Sequence, residues 1–321
     1  MNKLLVTSAG RRRYVLEELV RFAGPEDTVI AADMNPLAPA LSTPGVQAVT
    51  IEGKTPEDRA DELVRFAIRS GVDALLSLHD YEAIELSRRS DQLNNAGCLF
   101  VGPTVQTSRL TLDKLELASF LSSIRPNLTP VTIGEIDRLE DCVRISDRWI
   151  IKDRLGSASS GLRFLDAQEA VTAATRLPTG AWVAQPFSEG IEYNVDIFKD
   201  ADGSVAGTCT KRKWAMRSGE TDSATVLMNP PAVVVAAAIQ ATADLDITGN
   251  IDVDVILSPK NSAVVIDINP RFGGGYAFSA LAGYRAARAV WQLAKRDHVS
   301  PLGPEREVTA SKHVAVAEIF T

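Results

Sequence analysis

Along the N-terminal third of the chain, short apolar runs alternate with stretches whose apolar residues recur three and four positions apart. Leu4, Leu5 and Val6 make the first run, and Leu16, Leu19 and Val20 then line one side of a helix over 14–22. Val29, Ile30, Ala31 and Ala32 lead to Asp33, and Ala60, Leu63, Val64, Ala67 and Ile68 form the next helical stripe. Residues 74–78 and 98–101 supply two more strands. Strands alternating with helices predict a parallel sheet with ligands met at the carboxyl ends of its strands.

Past Gly102-Pro103, which marks a first domain boundary, the pattern changes. Residues 149–153, 182–187, 192–198, 251–257 and 263–268 read as strands. An alanine-rich helix is expected over 233–245 and a second over 277–295, with Leu281, Tyr284, Val290 and Leu293 for packing. Alternating valines over 312–320 predict a final strand.

Two of these strands carry acids. Asp252 and Asp254 share one face of the 251–257 strand, and Asp267 and Asn269 share one face of the strand that ends at Asn269-Pro270. If the strands pair across the 258–261 turn, the carboxylates and the amide gather in one place. Oxygen donors so placed suit Mg2+, which takes one or two protein carboxylates and leaves its other positions to water and phosphate. The alternative is an amphipathic edge with its acidic face in water. Arg271 adds a forked cation able to meet phosphate or carboxylate, and Gly273-Gly274-Gly275 follows as a turn.

Other candidates lie in loops. Arg11-Arg12-Arg13 is either a solvated helix start or an attractor for an anionic substrate group. The Gly10 loop lacks GxGxxG, and Asp33 is only half of a dinucleotide fingerprint, which argues against a nicotinamide site. In His79-Asp80-Tyr81-Glu82, Asp80 is expected to cap a helix, with substrate contact as the alternative. Lys114 opens another helix, capped by Thr111 or Asp113; a cation in a first turn opposes the helix dipole and so invites an anion. Gly156-Ser157-Ala158-Ser159-Ser160-Gly161 follows the strand that bears Lys152, and its small residues allow a phosphate to approach backbone N–H groups. Lys211, Arg212, Lys213 and Arg217 face either an anion or water.

Composition narrows the classes. The chain has 321 residues, enough for two or three packed units, with 45% hydrophobic and 23% charged residues. A formal net charge of -7 argues against binding nucleic acid through its phosphates. Cys98, Cys142 and Cys209 are widely spaced, without CxxC, so neither a disulfide framework nor a zinc site is expected. No signal-peptide or membrane-spanning run is read, which leads to the expectation of a cytoplasmic protein.

Taken together, the ordered motifs resemble the ATP-grasp superfamily, in the branch similar to the large subunit of carbamoyl phosphate synthetase and to stand-alone amino-acid ligases. Asp267-Ile268-Asn269-Pro270-Arg271, at its distance from Lys152 and the glycine-bounded loop, carries the resemblance. It implies an α/β chain in three units: a doubly wound, Rossmann-like parallel-sheet domain at 1–105, a lid at 106–183 and a metal-bearing part at 184–321. Lys114 and Lys152 would hold nucleotide phosphates under a flap formed by Gly156, Ser157, Ser159, Ser160 and Gly161. Gln185 and Phe187 would belong to a hinge meeting adenine, and Glu192 would meet ribose. Asp267 and Asn269, with Asp252 or Asp254, would hold Mg2+ or Mn2+, and Arg271 would act with Lys152 in catalysis. ATP, a small carboxylate and an amine are the implied partners, and a homodimer is the family expectation. The family more often has Glu where Asp267 stands, and a proline where Asp153 stands.

Overall fold

The computed structural model describes residues 1–156 and 161–319. It contains the expected parallel sheet near the N-terminus: β1 (Lys3–Thr7), β2 (Thr28–Asp33), β3 (Val46–Thr50), β4 (Ala74–Ser77) and β5 (Leu99–Phe100), in the order β3-β2-β1-β4-β5. Alternation along each strand supplies two cores. Leu4, Val6, Val29 and Leu76 pack on the helix Arg13–Phe22. Leu5, Ile30 and Leu75 meet Leu63 and Val64 of the helix Pro56–Ser70. That helix is fixed at both ends, by a Thr55–Asp58 capping box and by Gly71 in the left-handed region at φ 62°. The edge strand β3 had no counterpart in the sequence reading, because its side chains are partly buried or exposed and show no apolar run.

A three-stranded antiparallel sheet follows, ordered β7-β6-β8, from β6 (Arg148–Asp153), β7 (Arg163–Asp166) and β8 (Trp182–Pro186). Trp149, Ile151, Trp182 and Ala184 turn into a small core with Leu139, Ala170 and Ala174. The alternate residues Ile150, Lys152 and Gln185 therefore face the other way, into a cavity. The expected join at 183/184 falls inside β8, which pairs with β6 along its whole length.

The third sheet is antiparallel, in the order β13-β12-β9-β10-β11-β14. Its strands are β9 (Ile191–Lys199), β10 (Val205–Arg217), β11 (Glu220–Val226), β12 (Gly249–Leu257), β13 (Ala263–Asn269) and β14 (Val308–Ser311). One face is apolar: Tyr193, Val195, Ile197, Ile251, Val253 and Val255 pack against the helix Ala232–Thr242 and against Leu117 and Leu121. On the other face Asp252 pairs across strands with Asp196 and Asn269, and Asp254 with Asn194 and Asp267. The pairing of the two acid-bearing strands thus matches the expectation.

Two expectations for the C-terminal region are corrected. The helix expected over 277–295 is two, Tyr276–Leu281 and Ala286–Ala294, separated at Gly283 with φ 96°; Leu281 ends the first and is exposed. The last strand is Val308–Ser311, ahead of the predicted 312–320; it pairs with Ser223–Val226 of β11, whereas Val314 and Val316 are exposed and bury no apolar face. The two helices complete the core shared with the N-terminal sheet, and Trp291 Nε1 donates to the Leu19 carbonyl at 2.8 Å.

The polar sheet face needs internal compensation. Lys211, fully buried, donates to Asp196 and, at 2.8 Å, to Ser279, while Asn250 donates to the other Asp196 oxygen at 3.1 Å. Replacing Lys211 by Met should leave the Asp196 charge buried without its cation and cost about 3–5 kcal/mol, read as a lowered urea midpoint. Adding Asp196→Leu should restore part of that loss.

Candidate active site

A cavity of about 580 Å³ lies between the three-stranded sheet, the polar face of the six-stranded sheet and the loop after β1. From the first come Ile150, Lys152, Phe164 and Gln185; from the second Glu192, Asn194, Lys213, Asp252, Asp254, Asp267 and Asn269; from the loop Arg12. Lys114, Gly156 and Arg271 also line it.

Lys114 is the first residue of the helix Lys114–Ile124. Its cap is Asp113, which accepts from the N–H groups of Leu115 and Glu116 and also receives Arg154 at 2.8 and 2.9 Å. Thr111, the alternative cap, instead ends up buried inside the preceding helix, its hydroxyl donating to the Thr107 carbonyl. The Lys114 ammonium donates to the Gly156 carbonyl at the start of the glycine-bounded loop. Ser157, Ser159 and Ser160 lie outside the described residues. Gly161 has φ 67°, and a Cβ there would sit 2.3 Å from an Asp153 carboxylate oxygen, so Gly161 lies against the acid that stands where the family commonly has a proline.

Lys152 is held below the usual lysine range by burial; Asp267 acts against that shift and Lys114 adds to it. Its contact with β13 has a structural cause. The register of β12 with β13 slips between Asp254 and Val255, leaving Ile266 as the extra residue of a bulge. The Ile266 carbonyl then accepts from Lys152 Nζ at 3.4 Å.

The acids sit in a graded network. Asn194 donates to both Asp252 and Asp254, the latter at 2.8 Å, and its own carbonyl oxygen is buried without a partner among the described residues. Lys213 reaches Asp254 at 2.7 Å and Glu192 at 2.6 Å; burial works against its charge, but those two acids hold its pKa above the usual lysine range. Burial, then the charge of Asp254, pushes Asp252 above the usual carboxylate range. Across this face passes Gly273-Gly274-Gly275. A Cβ on Gly273 would lie 2.2 Å from the Asp252 carboxylate and one on Gly274 would lie 2.8 Å from Glu220. The glycines therefore permit close approach over the acids, beyond the turn read from sequence.

Asp252, Asp254 and Asp267 all line the cavity, but no group of three His, Cys, Asp or Glu residues has metal-holding spacing among the described residues. Asp254 and Asp267 stand opposite each other on paired strands, while Asn194 bridges Asp252 and Asp254 and Lys213 pairs with Asp254. The donors still fit a hard cation that uses one or two carboxylates. Crowded acids, one of them held toward protonation, are what a bound cation would relieve.

Gln185 and Phe187, which the resemblance assigns to a hinge, are engaged in internal bonds. Gln185 Nε2 donates to Thr132 at 2.7 Å, and the Phe187 N–H donates to the Arg148 carbonyl at 2.8 Å. The Phe187 ring lies under the Arg148 guanidinium at 3.9 Å and meets Phe164 edge-on at 6.0 Å. Glu192 lines the cavity, paired to Lys213.

In the basic cluster of β10, Lys211 and Lys213 share the acid-bearing face and Arg212 takes the other. Lys211 is buried in the sheet core, Lys213 meets the cavity, Arg212 stacks on Trp214 at 3.9 Å, and Arg217 stands 3.5 Å from Asp222.

The N-terminal sheet supplies a wall. Asp33 accepts from the N–H groups of Gly10 and Asn35, and Glu82 accepts from Thr7, Ser8 and Ser77, which fills the carboxyl ends of β1 and β4 with internal bonds. His79 caps the helix Asp80–Ser87 through its ring nitrogen, in place of Asp80. Asp80 instead receives Arg271 in a fork of 2.7 and 2.8 Å, and Arg271 also donates to Asn269 at 3.1 Å. Burial alone would raise the Asp80 pKa, but the Arg271 charge and its hydrogen bonds hold it below the usual carboxylate range. Sequence spacing had no means of finding this pair, nor the bridging role of Asn194.

A family profile described as "ATP-grasp domain" matches residues 111–275, and one described as "PylC-like, N-terminal domain" matches 4–101. Among solved structures, the chain resembles an L-amino acid ligase from Bacillus licheniformis, with 18% identity, a TM-score of 0.72, and coverage of 94% of this chain and 75% of that one. It also resembles N5-carboxyaminoimidazole synthetase from Staphylococcus aureus complexed with ADP, with 14% identity, a TM-score of 0.75, and coverage of 95% and 79%. These likenesses show the fold. A pyruvate carboxylase from Aspergillus niger is 22% identical over an alignment of 280 residues, with coverage of 80% of this chain but only 23% of that protein.

Substituting Asp80 by Ala should strand the Arg271 guanidinium without its carboxylate and lower stability by about 3–5 kcal/mol. Denaturant unfolding of the variant beside Asp80→Asn, which keeps an acceptor and should lose less, checks this.

Proposed function

The chain belongs to the ATP-grasp family, and on that premise we propose that it is an ATP-dependent carboxylate–amine ligase acting on small molecules, amino acids among them. The observation that carries this reading is the convergence of Lys114 and Lys152 with Asp252, Asp254, Asp267, Asn269 and Arg271 on one cavity. Two cations stand on one side and a set of oxygen donors on the other, as phosphoryl transfer from a nucleotide requires.

A carboxylate is a poor acyl donor because its oxygen is a poor leaving group. Transfer of the γ-phosphoryl group to it gives an acyl phosphate and ADP; attack by an amine then forms the amide and releases phosphate. Lys114 and Lys152 would bind the nucleotide phosphates, and Gly156 and Gly161, with Ser157, Ser159 and Ser160, would cover them. Gln185 and Phe187 would border adenine and Glu192 the ribose. Arg271, held by Asp80, would present its cation to the transferring phosphoryl group or to the substrate carboxylate. Asp267 and Asn269, with Asp252 or Asp254, are the residues that would hold Mg2+, which when bound neutralises charge on the phosphates. A site closed from water would protect the acyl phosphate from hydrolysis.

The test is release of ADP and phosphate from ATP and Mg2+ against pooled carboxylic acids and amines, with product masses recorded. Release that needs both an acid and an amine, with a product equal to their sum less water, supports the ligase. Release that needs bicarbonate and no amine assigns a carboxylase-like activity instead. Tight ATP binding without release from any pool assigns a binding protein. Lys152→Ala should reduce turnover roughly a hundred- to a thousandfold and weaken ATP binding. Asp267→Ala should reduce it as much, with metal titration showing the loss.

A further inference from the structure

The cavity holds a second guanidinium that the ligase reading leaves without a role. We propose that Arg12 binds a carboxylate that does not react, carried by the amine co-substrate, so that the enzyme selects an amino acid as its amine. This rests on the ligase reading and adds the residue that determines the co-substrate class.

The two arginines of the cavity differ in how they are engaged. Arg271 is neutralised by Asp80 and donates a further bond to Asn269. Arg12 donates one side-chain hydrogen bond among the described residues, from Nη1 to the Leu78 carbonyl, a neutral acceptor. Its nearest carboxylate, Glu220, stands 3.9 Å away, beyond hydrogen-bond reach, and is met instead by Lys312 at 3.0 Å. Arg12 is thus fixed through Nη1 while its side chain lines the cavity, and a planar guanidinium suits a carboxylate there. Burial and the like charge of Arg271 both act against its cation, and an incoming anion would offset both.

Arg12 and the two lysines are anchored on different parts of the cavity wall. Arg12 is anchored on the Leu78 carbonyl with Glu220 at 3.9 Å, whereas Lys152 is anchored on the Ile266 carbonyl of β13 and Lys114 on the Gly156 carbonyl. A carboxylate on Arg12 therefore sits at the N-terminal wall, away from the lysines that meet phosphate. The segment is held in place by Tyr14, whose hydroxyl donates toward the Gly273 carbonyl at 3.4 Å.

The experiment uses the full chain loaded with Mg2+ and a non-hydrolysable ATP analogue, and measures binding of each L-amino acid and of its α-carboxamide by calorimetry. The wild type should bind its preferred amino acid roughly ten- to a hundredfold more tightly than the carboxamide. Arg12→Gln should bind the two alike, Arg12→Lys should keep part of the preference, and the affinity for the ATP analogue should be the same in all three, which shows an intact fold. A preference that survives in Arg12→Gln, or a wild type that binds no amino acid or binds the carboxamide equally well, overturns the assignment. ADP release is read separately: if the preference depends on Arg12 but no acid–amine pair releases ADP, the ligase reading falls and the carboxylate site stands. If release is coupled to both substrates and the preference ignores Arg12, the reverse holds.

Discussion

Neighbouring strands of one sheet face place Asp196 opposite Asp252 and Asp254 opposite Asp267. Like charges directly across a sheet destabilise it, so this face exists only because cations are brought to it. They come from different parts of the chain: Lys211 and Lys213 from β10, Lys152 from the three-stranded sheet, and Arg271 from the end of β13, itself secured by Asp80 of the N-terminal part. The three sheets are therefore joined by electrostatics as well as by apolar packing, and the cavity forms where those charges meet.

Close approach is the second requirement. The chain crosses the acids at Gly273-Gly274-Gly275, where any side chain would collide with Asp252 or Glu220 or crowd Lys211. A bulge at Ile266 turns a carbonyl of β13 toward Lys152. Both devices bring backbone close to charged side chains that line the cavity.

The N-terminal sheet has the doubly wound order whose carboxyl ends usually receive a ligand. Here that crevice is occupied by the protein's own bonds, through Asp33 and Glu82. What the sheet contributes outward is Arg12 and Asp80, one lining the cavity and one anchoring Arg271. Its role is that of a wall that brings Arg12 to the cavity and holds Arg271.

Periodicity alone determined the parallel sheet at the N-terminus, the sharing of one face by Asp252 and Asp254 and by Asp267 and Asn269, and the pairing of their strands across a short turn. Those features depend on residues a few positions apart, where the two-residue repeat of a strand and the glycine and proline signals suffice. The ordered motifs from Lys114 to Arg271 also made the family legible. The edge strand β3 was not legible because its side chains are half in water, and the break near Gly283 was hidden by helical spacing on both sides of it. Only the tertiary structure decided which charges meet: that Lys211 is buried while Lys213 reaches the cavity, that Asn194 bridges two acids, and that Arg12 lines the cavity with Glu220 3.9 Å away. Asp80 and Arg271 stand 191 positions apart, and a contact at that separation is set by the packing of whole sheets against one another, which no local pattern records.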